Sequence, residues 1–136
     1  MQCPFCSREN IERQKIFENV SELVLYNLYP AGKGHCLVMP KRHVSGIREL
    51  GDGEISSLFS TVRLVAEKLK RHLNPDGFNY GINEGDAAGQ TVEHCHVHIL
   101  PRFKGDFVKS GVFHSNELKE EEQMKRDVRE FRKLFR

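Results

Sequence analysis

Three histidines alternate along one short segment of the chain, TVEHCHVHILPR, over residues 91–102. They are His94, His96 and His98, three of seven histidines in the whole sequence. On a β-strand, residues two apart point to the same face and lie about 6.5–7 Å from one another. The pattern therefore predicts a row of imidazoles on one face of a strand. The opposite face, which would pack on the core, carries Cys95, Val97 and Ile99.

Three interpretations of this row are open. In the first, each histidine is half-buried and hydrogen-bonded by a neighbour, which is the ordinary state of a single histidine. In the second, histidines of the strand bind a metal ion together with a ligand from nearby. In the third, one imidazole acts as a nucleophile or general base while its neighbours orient it and bind the substrate. Packing alone is a poor explanation for three histidines that share one face of a strand.

The segment that precedes the histidines favours the third interpretation. Residues 83–91 read NEGDAAGQT, a loop with two glycines. Gly85 and Gly89 can take backbone conformations that other residues avoid, so that a ligand can approach the main chain closely. Gln90 and Thr91 supply neutral hydrogen-bond donors, and backbone N–H groups of such a loop can surround an anion. Neutral donors beside imidazoles suit a phosphate ester whose charge is redistributed during reaction.

A second candidate site is the cysteine pair Cys3-Pro4-Phe5-Cys6. Its two-residue gap is that of a zinc knuckle, although a redox pair or two buried thiols would have the same spacing. A structural zinc ion takes four ligands, and the sequence has no second pair of this kind, so two ligands must come from elsewhere in the chain. The other cysteines, Cys36 and Cys95, are expected to be small core residues.

The hydrophobic pattern predicts the elements that must position these residues. Short strands are predicted within 15–28 (two strands), 35–40, 78–83 and 92–101. The clearest helix covers residues 54–73, where apolar residues recur every three or four positions until Asn74-Pro75 ends the pattern. Because the strands cluster around this central helix instead of alternating with helices, the sequence predicts an α+β fold with a mainly antiparallel sheet.

A second helix is predicted over residues 117–136 at the C-terminus. Acidic residues come first and basic residues last, an order that complements the helix dipole. Its apolar stripe consists of Met124, Val128, Phe131 and Phe135. The charged residues of this helix are expected to form a solvated face.

The overall composition indicates one soluble domain, over residues 1–136. Apolar residues make up 38% and charged residues 29% of the chain, as in globular proteins. The net charge of +2 is too small to argue for a nucleic-acid or membrane partner. No run of about 18 apolar residues predicts a transmembrane helix, and the first residues, MQCPFCSREN, lack the order of a secretory signal. We therefore expect a cytoplasmic protein.

Taken together, these motifs resemble the signature of the histidine triad (HIT) family. GQTVEHCHVHILPR matches its alternation of histidine and apolar residues after glycine, glutamine, serine or threonine, and valine. AGKGHCLVMPKRHV resembles the glycine–histidine–apolar strand of the family, which ends at a proline before a basic turn. The resemblance covers roughly residues 10–105 and implies about five antiparallel strands with helices, usually in a homodimer whose sheets join.

The resemblance also implies an activity, the hydrolysis or transfer of nucleoside monophosphates. In the family the central histidine, here His96, attacks the α-phosphorus and forms a nucleotidyl-histidine intermediate that water resolves. His98 would contact the phosphate oxygens, and His94 would orient the middle imidazole or bind a metal ion. The positions expected to bind the phosphate and the leaving group are Asn83, Gln90 and Thr91, and Asn27 would lie near the ribose. Adenine is the base expected by association, and a magnesium ion can accompany the substrate.

Some branches of the family, and related nucleotidylyltransferases, carry a zinc site. Its ligands are two cysteines, a histidine after the early strand and the first triad histidine. The matching positions here are Cys3, Cys6, His43 and His94. A structural zinc would then attach a knuckle at residues 1–9 to the active strand and fix His94, with an indirect effect on His96.

The stretches GDAAGQTV and HILPR most resemble the branch that cleaves dinucleoside polyphosphates, whereas the cysteine pair resembles other branches. The predicted function is therefore hydrolysis of a dinucleoside polyphosphate. The alternatives are a nucleoside phosphoramidase that cleaves a P–N bond, a nucleotide-binding regulator with little turnover, and a metal-dependent enzyme in which the triad itself binds the ion.

Overall fold

The computed structural model of the protein describes residues 3–106, 113 and 118–136. In these residues the chain forms one sheet of five strands, each antiparallel to its neighbours, in the order β1-β2-β3-β5-β4. The strands are β1 (Lys15–Glu18), β2 (Glu22–Tyr26), β3 (Cys36–Pro40), β4 (Gly77–Gly81) and β5 (Val97–Arg102). The predicted α+β fold with a five-stranded antiparallel sheet is confirmed.

Three α-helices accompany the sheet in the part of the chain that the structure describes. They are α1 (Arg8–Gln14), α2 (Asp52–Leu73) and α3 (Glu121–Arg132). Single 3-10 turns occur at Ile47–Glu49, Asp86–Ala88 and Lys133–Phe135. None of the helices in the described ranges is both long enough and apolar enough to cross a membrane.

The central helix α2 begins two residues before the predicted start and ends where predicted. At its start, the Glu54 carboxylate accepts a hydrogen bond of 2.9 Å from the backbone N–H of Gly51, which satisfies a donor that the helix leaves unpaired. At its end, Asn74 takes a left-handed conformation, with φ of 49°, and Pro75 follows. Asparagine tolerates this conformation better than most residues, so the helix ends there.

The C-terminal helix is shorter than the sequence predicted. It begins at Glu121, and residues 118–120 are not helical, while residue 117 lies outside the described residues. Its apolar stripe is confirmed, because Met124, Val128 and Phe131 are buried and Phe135 packs against the same core. By contrast, α1 was missed, since its seven residues RENIERQ show no apolar periodicity and only Gln14 is buried.

The sheet buries apolar residues on both faces. One face joins α2 and α3 in a core that includes Val38, Val97 and Ile99. The other face carries a smaller cluster of Phe5, Leu23, Leu25, Leu37 and Met39. Because β2 and β3 are covered on both faces, their sequences ELVLY and CLVMP read as nearly continuous apolar runs instead of alternating.

The last strand is shorter than predicted, since β5 begins at Val97 and not at residue 92. Before it the chain bends: the His94 N–H donates to the Val92 carbonyl at 2.8 Å, and the Cys95 N–H donates to the Val44 carbonyl at 2.7 Å. These bonds replace pairing with β3. The alternation of side chains persists nevertheless, because Cys95 belongs to the α2-side core together with the strand residues Val97 and Ile99.

Candidate functional site

A cavity of about 500 Å³ opens beside the histidines, a volume typical of small-molecule sites. Five of the predicted site residues line it: Asn27, Asn83, Thr91, His96 and His98. Their neighbours in the wall include Phe5, Leu37 and Val92 from the smaller apolar cluster and its surroundings. The cavity therefore combines an apolar wall with a few convergent polar groups. Gln90 and His94 do not line it.

His96 is held in one tautomer by the main chain. Its Nδ1 lies 2.7 Å from the backbone carbonyl oxygen of His94, which can only accept a hydrogen bond, so Nδ1 carries the proton. The Nε2 atom of a neutral His96 is therefore unprotonated. Burial lowers the pKa of His96, and the nearby His94 adds to this effect against the opposing influence of the carbonyl hydrogen bond. The side chain is thus a neutral imidazole with a lone pair at the wall of the cavity.

A fourth histidine, His35, completes the site and was not predicted as a site residue. It lies just before β3, is fully buried, and its Nε2 is 2.9 Å from Nδ1 of His98. The Ala31 N–H donates to Nδ1 of His35 at 3.0 Å, so His35 carries its proton on Nε2 and donates it to His98. His98 in turn carries its own proton on Nε2 when neutral. Burial, with a smaller contribution from His96, lowers the pKa of His35 to about 4.

Gly34, the residue before His35, has a backbone conformation that only glycine adopts readily. Gly34 has φ of +85°, in the region that favours glycine, and its N–H donates to the Tyr26 hydroxyl at 3.1 Å. A Cβ at this position would stand 2.8 Å from Cδ1 of Leu73. The glycine–histidine sequence before this strand therefore has two functions. Gly34 makes the turn, and His35 contacts His98.

Asn27 follows β2 and connects the cavity to His35. Its backbone N–H donates to the His35 carbonyl at 3.0 Å, and its Nδ2 lies 3.4 Å from both ring nitrogens of His35. Its Oδ1 accepts a bond of 3.0 Å from the Tyr29 N–H. The predicted ribose-binding residue is thus at the cavity wall and is also tied to the histidine network.

Gln90 closes the loop in front of the histidines. Its Oε1 accepts a bond of 2.7 Å from the Gly85 N–H, and its Nε2 donates to the Ser45 carbonyl at 3.0 Å. Gly85 and Gly89 have φ of 88° and 90°, the conformations anticipated for them. Both ends of the buried amide are therefore used within the protein, and Gln90 holds in place the loop that brings Gly89 and Thr91 to the cavity.

The four predicted metal ligands form one cluster, which includes the ring of His94. Candidate ligand atoms of Cys3, Cys6, His43 and His94 all lie within 4.8 Å of one another. Nδ1 of His94 is 3.4 Å from Sγ of Cys3 and 3.5 Å from Sγ of Cys6, and Nδ1 of His43 is 3.5 Å from Sγ of Cys6. A tetrahedral zinc with ordinary Zn–S and Zn–N bonds requires a sulfur–nitrogen separation of about 3.5 Å.

The outer contacts of this cluster also suit a metal. Nε2 of His94 donates to the Pro40 carbonyl at 2.8 Å, which leaves Nδ1 for coordination, the usual arrangement of a metal-bound histidine. Two thiols and two imidazoles are the soft and borderline donors that zinc prefers. The residues therefore fit a structural zinc site, and the imidazole of His94 faces this cluster. His94 reaches His96 instead through its backbone carbonyl.

The sheet, the glycine loop and the alternating histidines together define a histidine triad fold, and comparison with known proteins agrees. The HIT domain family model matches residues 8–105. A bis(5'-adenosyl)-triphosphatase of Dictyostelium discoideum is 36% identical over 132 residues, or 92% of this chain and 88% of that protein. The chain belongs to the histidine triad family.

Two solved structures show the same fold. A hypothetical histidine triad nucleotide-binding protein of Sulfolobus tokodaii superposes with a TM-score of 0.76 at 32% identity, covering 96% of this chain and 92% of that one. A zinc-bound histidine triad family protein of Mycobacterium smegmatis gives a TM-score of 0.75 at 27% identity, covering 99% and 96%. The family predicted from the motifs is thus confirmed.

Proposed function

We propose that the protein hydrolyses dinucleoside polyphosphates through a nucleotidyl intermediate on His96 and releases a nucleoside monophosphate. The observation that carries this proposal is the neutral His96 imidazole, with Nδ1 bound to the His94 carbonyl and Nε2 unprotonated, in the wall of the cavity. The similarity to a protein named bis(5'-adenosyl)-triphosphatase, over 92% of the chain, supports the substrate class and adenine as the base.

In the first step, the Nε2 lone pair of His96 attacks the α-phosphorus and forms a P–N bond. The P–O bond to the rest of the polyphosphate breaks, and its electron pair leaves with the bridging oxygen. The ring becomes positively charged in this step, and the His94 carbonyl, already bound to Nδ1–H, stabilises that charge. Phosphoryl transfer of this kind depends mainly on positioning and charge stabilisation.

In the second step, a water oxygen attacks the same phosphorus and the P–N bond breaks. The electron pair of that bond returns to Nε2, the water releases a proton to the solvent, and the nucleoside monophosphate leaves. Dividing the reaction in this way replaces one difficult displacement by two easier ones. A neutral imidazole needs no further activation near neutral pH, whereas an alcohol nucleophile would need a general base.

The other polar residues of the cavity bind the substrate. We assign the phosphate oxygens to His98, whose Nε2 carries the ring proton as a result of the His35 contact. Asn83 and Thr91 provide further neutral donors from the loop, and Asn27 contacts the ribose. Gln90 acts by holding this loop closed.

We also propose that Cys3, Cys6, His43 and His94 hold a structural zinc ion. The sulfur–nitrogen separations and the Pro40 carbonyl contact support this assignment, and so does the zinc-bound relative from Mycobacterium smegmatis. When bound, the ion would cross-link the N-terminal segment to the chain before β5. The proposed nucleophile His96 and the phosphate ligand His98 are not part of this ligand set.

Three further expectations from the sequence remain predictions: a homodimer, a magnesium ion that accompanies the substrate, and a cytoplasmic location. The homodimer is supported by the position of β4 at an edge of the sheet, where Tyr80 is 52% exposed beside Phe59, which is 42% exposed. A sheet that continues into a second copy would pair such an edge. Light scattering coupled to gel filtration measures this directly.

The experiment compares the wild-type protein with His96→Ala, each supplied with diadenosine triphosphate, diadenosine tetraphosphate and an adenosine phosphoramidate. Rapid AMP release from the polyphosphates, lost in His96→Ala, is the expected result. His72→Ala, which changes an exposed histidine outside the cavity, is the matched control and should leave turnover unchanged. AMP release mainly from the phosphoramidate would indicate the alternative P–N substrate class, and binding without turnover would indicate a regulator.

A further inference from the structure

We infer that the Cys3–Cys6 turn is a metal-dependent wall of the nucleotide cavity and that Phe5 is a positioning residue for His96. This inference rests on the proposed function, because it concerns the same cavity and the same nucleophile. It links two features that are separate in the sequence, the cysteine pair and the histidine row.

The two residues between the cysteines form part of the cavity itself. Pro4 and Phe5 both line it, although the thiols on either side of them belong to the metal cluster. Phe5 is 8% exposed, and its ring meets that of His96 edge-on, with centroids 5.1 Å apart and an angle of 82° between the planes. It also contacts the ring of His94, with centroids 6.0 Å apart. Phe5 therefore contacts both imidazoles, and its edge-on contact restricts the rotation of the His96 ring.

Apart from the packing of Phe5 and Cys3 against the smaller apolar cluster, the turn has few attachments to the rest of the fold. Within the described part of the chain, residues 3–7 are tied to the rest of the fold by side-chain hydrogen bonds only through the Cys3 and Cys6 contacts to His43 and His94. Thiol–imidazole contacts of 3.4–3.5 Å are weak, since sulfur is a weak donor and a weak acceptor. A bound zinc would replace them with coordinate bonds and so hold in place the turn that carries Phe5.

The opposite end of the same segment is anchored independently of the cysteines. Gln14 donates to the Tyr26 carbonyl at 3.0 Å, and Arg132 from α3 donates to the carbonyls of Glu12 and Lys15 at 3.0 and 2.7 Å. Loss of the metal should therefore release the turn while α1 and the sheet remain in place. This asymmetry makes the effect local to the cavity and separable from unfolding.

His94 provides a second connection between the cluster and the nucleophile. Its imidazole belongs to the metal cluster, and its backbone carbonyl accepts the Nδ1–H of His96 at 2.7 Å. A metal that fixes the ring of His94 also restrains the carbonyl that sets the tautomer of His96. The metal site thus contacts the nucleophile on two sides, through Phe5 and through the main chain at residue 94.

The test measures AMP binding by calorimetry in zinc-loaded and chelator-treated protein, for wild type, Phe5→Leu and Phe5→Tyr. Circular dichroism verifies that each sample stays folded. In the wild type, zinc removal should weaken AMP binding about tenfold. In zinc-loaded protein, Phe5→Leu should cause a similar loss, whereas Phe5→Tyr, which keeps the ring, should stay within about threefold of the wild type. Such changes correspond to the loss of one well-packed aromatic contact.

The decisive comparison is between the losses of AMP affinity that zinc removal causes in wild type and in Phe5→Leu. If Phe5 transmits the effect, zinc removal should weaken AMP binding by less than about threefold in this variant, because effects that act through one contact are not additive. A full additional tenfold loss would overturn the role of Phe5. Unchanged AMP binding in folded, zinc-free wild type would overturn the metal-dependent wall.

Two controls separate this inference from the proposed function. Phe17→Leu makes the same chemical change at a partly buried ring that stacks on Phe135, outside the cavity, and should leave AMP binding unchanged. With dinucleotide substrate, zinc-loaded Phe5→Leu should lower kcat as well as raise KM, because the ring restrains His96, whereas a purely structural role would leave kcat unchanged. Failure of zinc-loaded wild type to bind AMP would refute the proposed function and this inference with it.

Discussion

His35, just before β3, and His98, on the adjacent strand β5, lie in contact, with Nε2 of His35 2.9 Å from Nδ1 of His98. The β3–β5 register, in which Leu37 is opposite His98, brings His35 to the same face of the sheet two residues away. Because the Ala31 N–H fixes the tautomer of His35, a chain of hydrogen bonds runs from the main chain through His35 to His98. This chain places the ring proton of a neutral His98 on Nε2.

Replacing His35 should therefore impair turnover without removing any group that we assign to substrate contact. His35→Leu removes the donor to His98, and we expect kcat for diadenosine triphosphate to fall about tenfold, since one hydrogen bond contributes about 1–1.5 kcal/mol. Steady-state kinetics measure this effect. His72→Leu is the control. An unchanged kcat in His35→Leu would show that the contact has no part in catalysis.

His35 should also make folding stability depend on pH. Its pKa is about 4 in the folded protein, against about 6.5 in the unfolded chain. Below pH 6.5 the unfolded chain binds a proton that the folded protein does not, so the free energy of unfolding falls as pH decreases toward 4. The loss from this residue between pH 7.5 and pH 5 should be about 2 kcal/mol.

Urea unfolding of wild type and His35→Gln at both pH values isolates this contribution, because other titrating groups are common to the two proteins. The free energy of unfolding should fall less steeply in His35→Gln. Parallel pH dependences would mean that His35 is not buried as a neutral residue.

The C-terminal helix should contribute strongly to stability through Phe131. This residue is fully buried and stacks on Tyr26 with ring centroids 5.1 Å apart. Phe131→Ala should lower the free energy of unfolding by about 3–5 kcal/mol, through lost burial and the cavity left behind. Val20→Ala, at a side chain that is 93% exposed, should change it by less than about 0.5 kcal/mol. Equal effects of the two substitutions would contradict the packing of α3 on the sheet.

Metal analysis should find one zinc ion per chain. Cys3→Ser, Cys6→Ser and His43→Ala should each reduce the bound zinc, because a four-coordinate structural site depends on all its ligands. His96→Ala should retain it, since His96 is outside the cluster. Mass spectrometry of the metal content after dialysis measures both results. Loss of zinc in His96→Ala, with retention in Cys6→Ser, would instead indicate a metal site at the histidine row.

The alternation of His94, His96 and His98 was informative because strand geometry is local, and the sequence predicted both faces of that segment. Five of the residues that line the cavity, Asn27, Asn83, Thr91, His96 and His98, were predicted from short contiguous motifs and the family resemblance that these motifs carry. His35 could not be found in this way, since its contact with His98 depends on the pairing of two strands that are far apart in the sequence.

Other details escaped prediction for related reasons. The helix α1 is short and polar, so that neither periodicity nor propensity indicates it. Gln90 was expected to bind the ligand, but its side-chain amide accepts a hydrogen bond from the Gly85 N–H and donates one to the Ser45 carbonyl. Both roles of His94, orienting His96 and facing the cysteines, were predicted. The bend before β5, which lets the carbonyl take the first role and the ring the second, was not.

The central claim is that Nε2 of His96 becomes covalently bound to the nucleotide. The most direct measurement mixes the protein with diadenosine triphosphate, quenches within milliseconds under alkaline conditions that preserve P–N bonds, and locates the adduct by mass spectrometry of peptides. We predict an adenylyl group on His96 that forms and decays at rates compatible with kcat, and none in His96→Ala. Steady turnover with no adduct on His96, or with the adduct on another residue, would contradict the account.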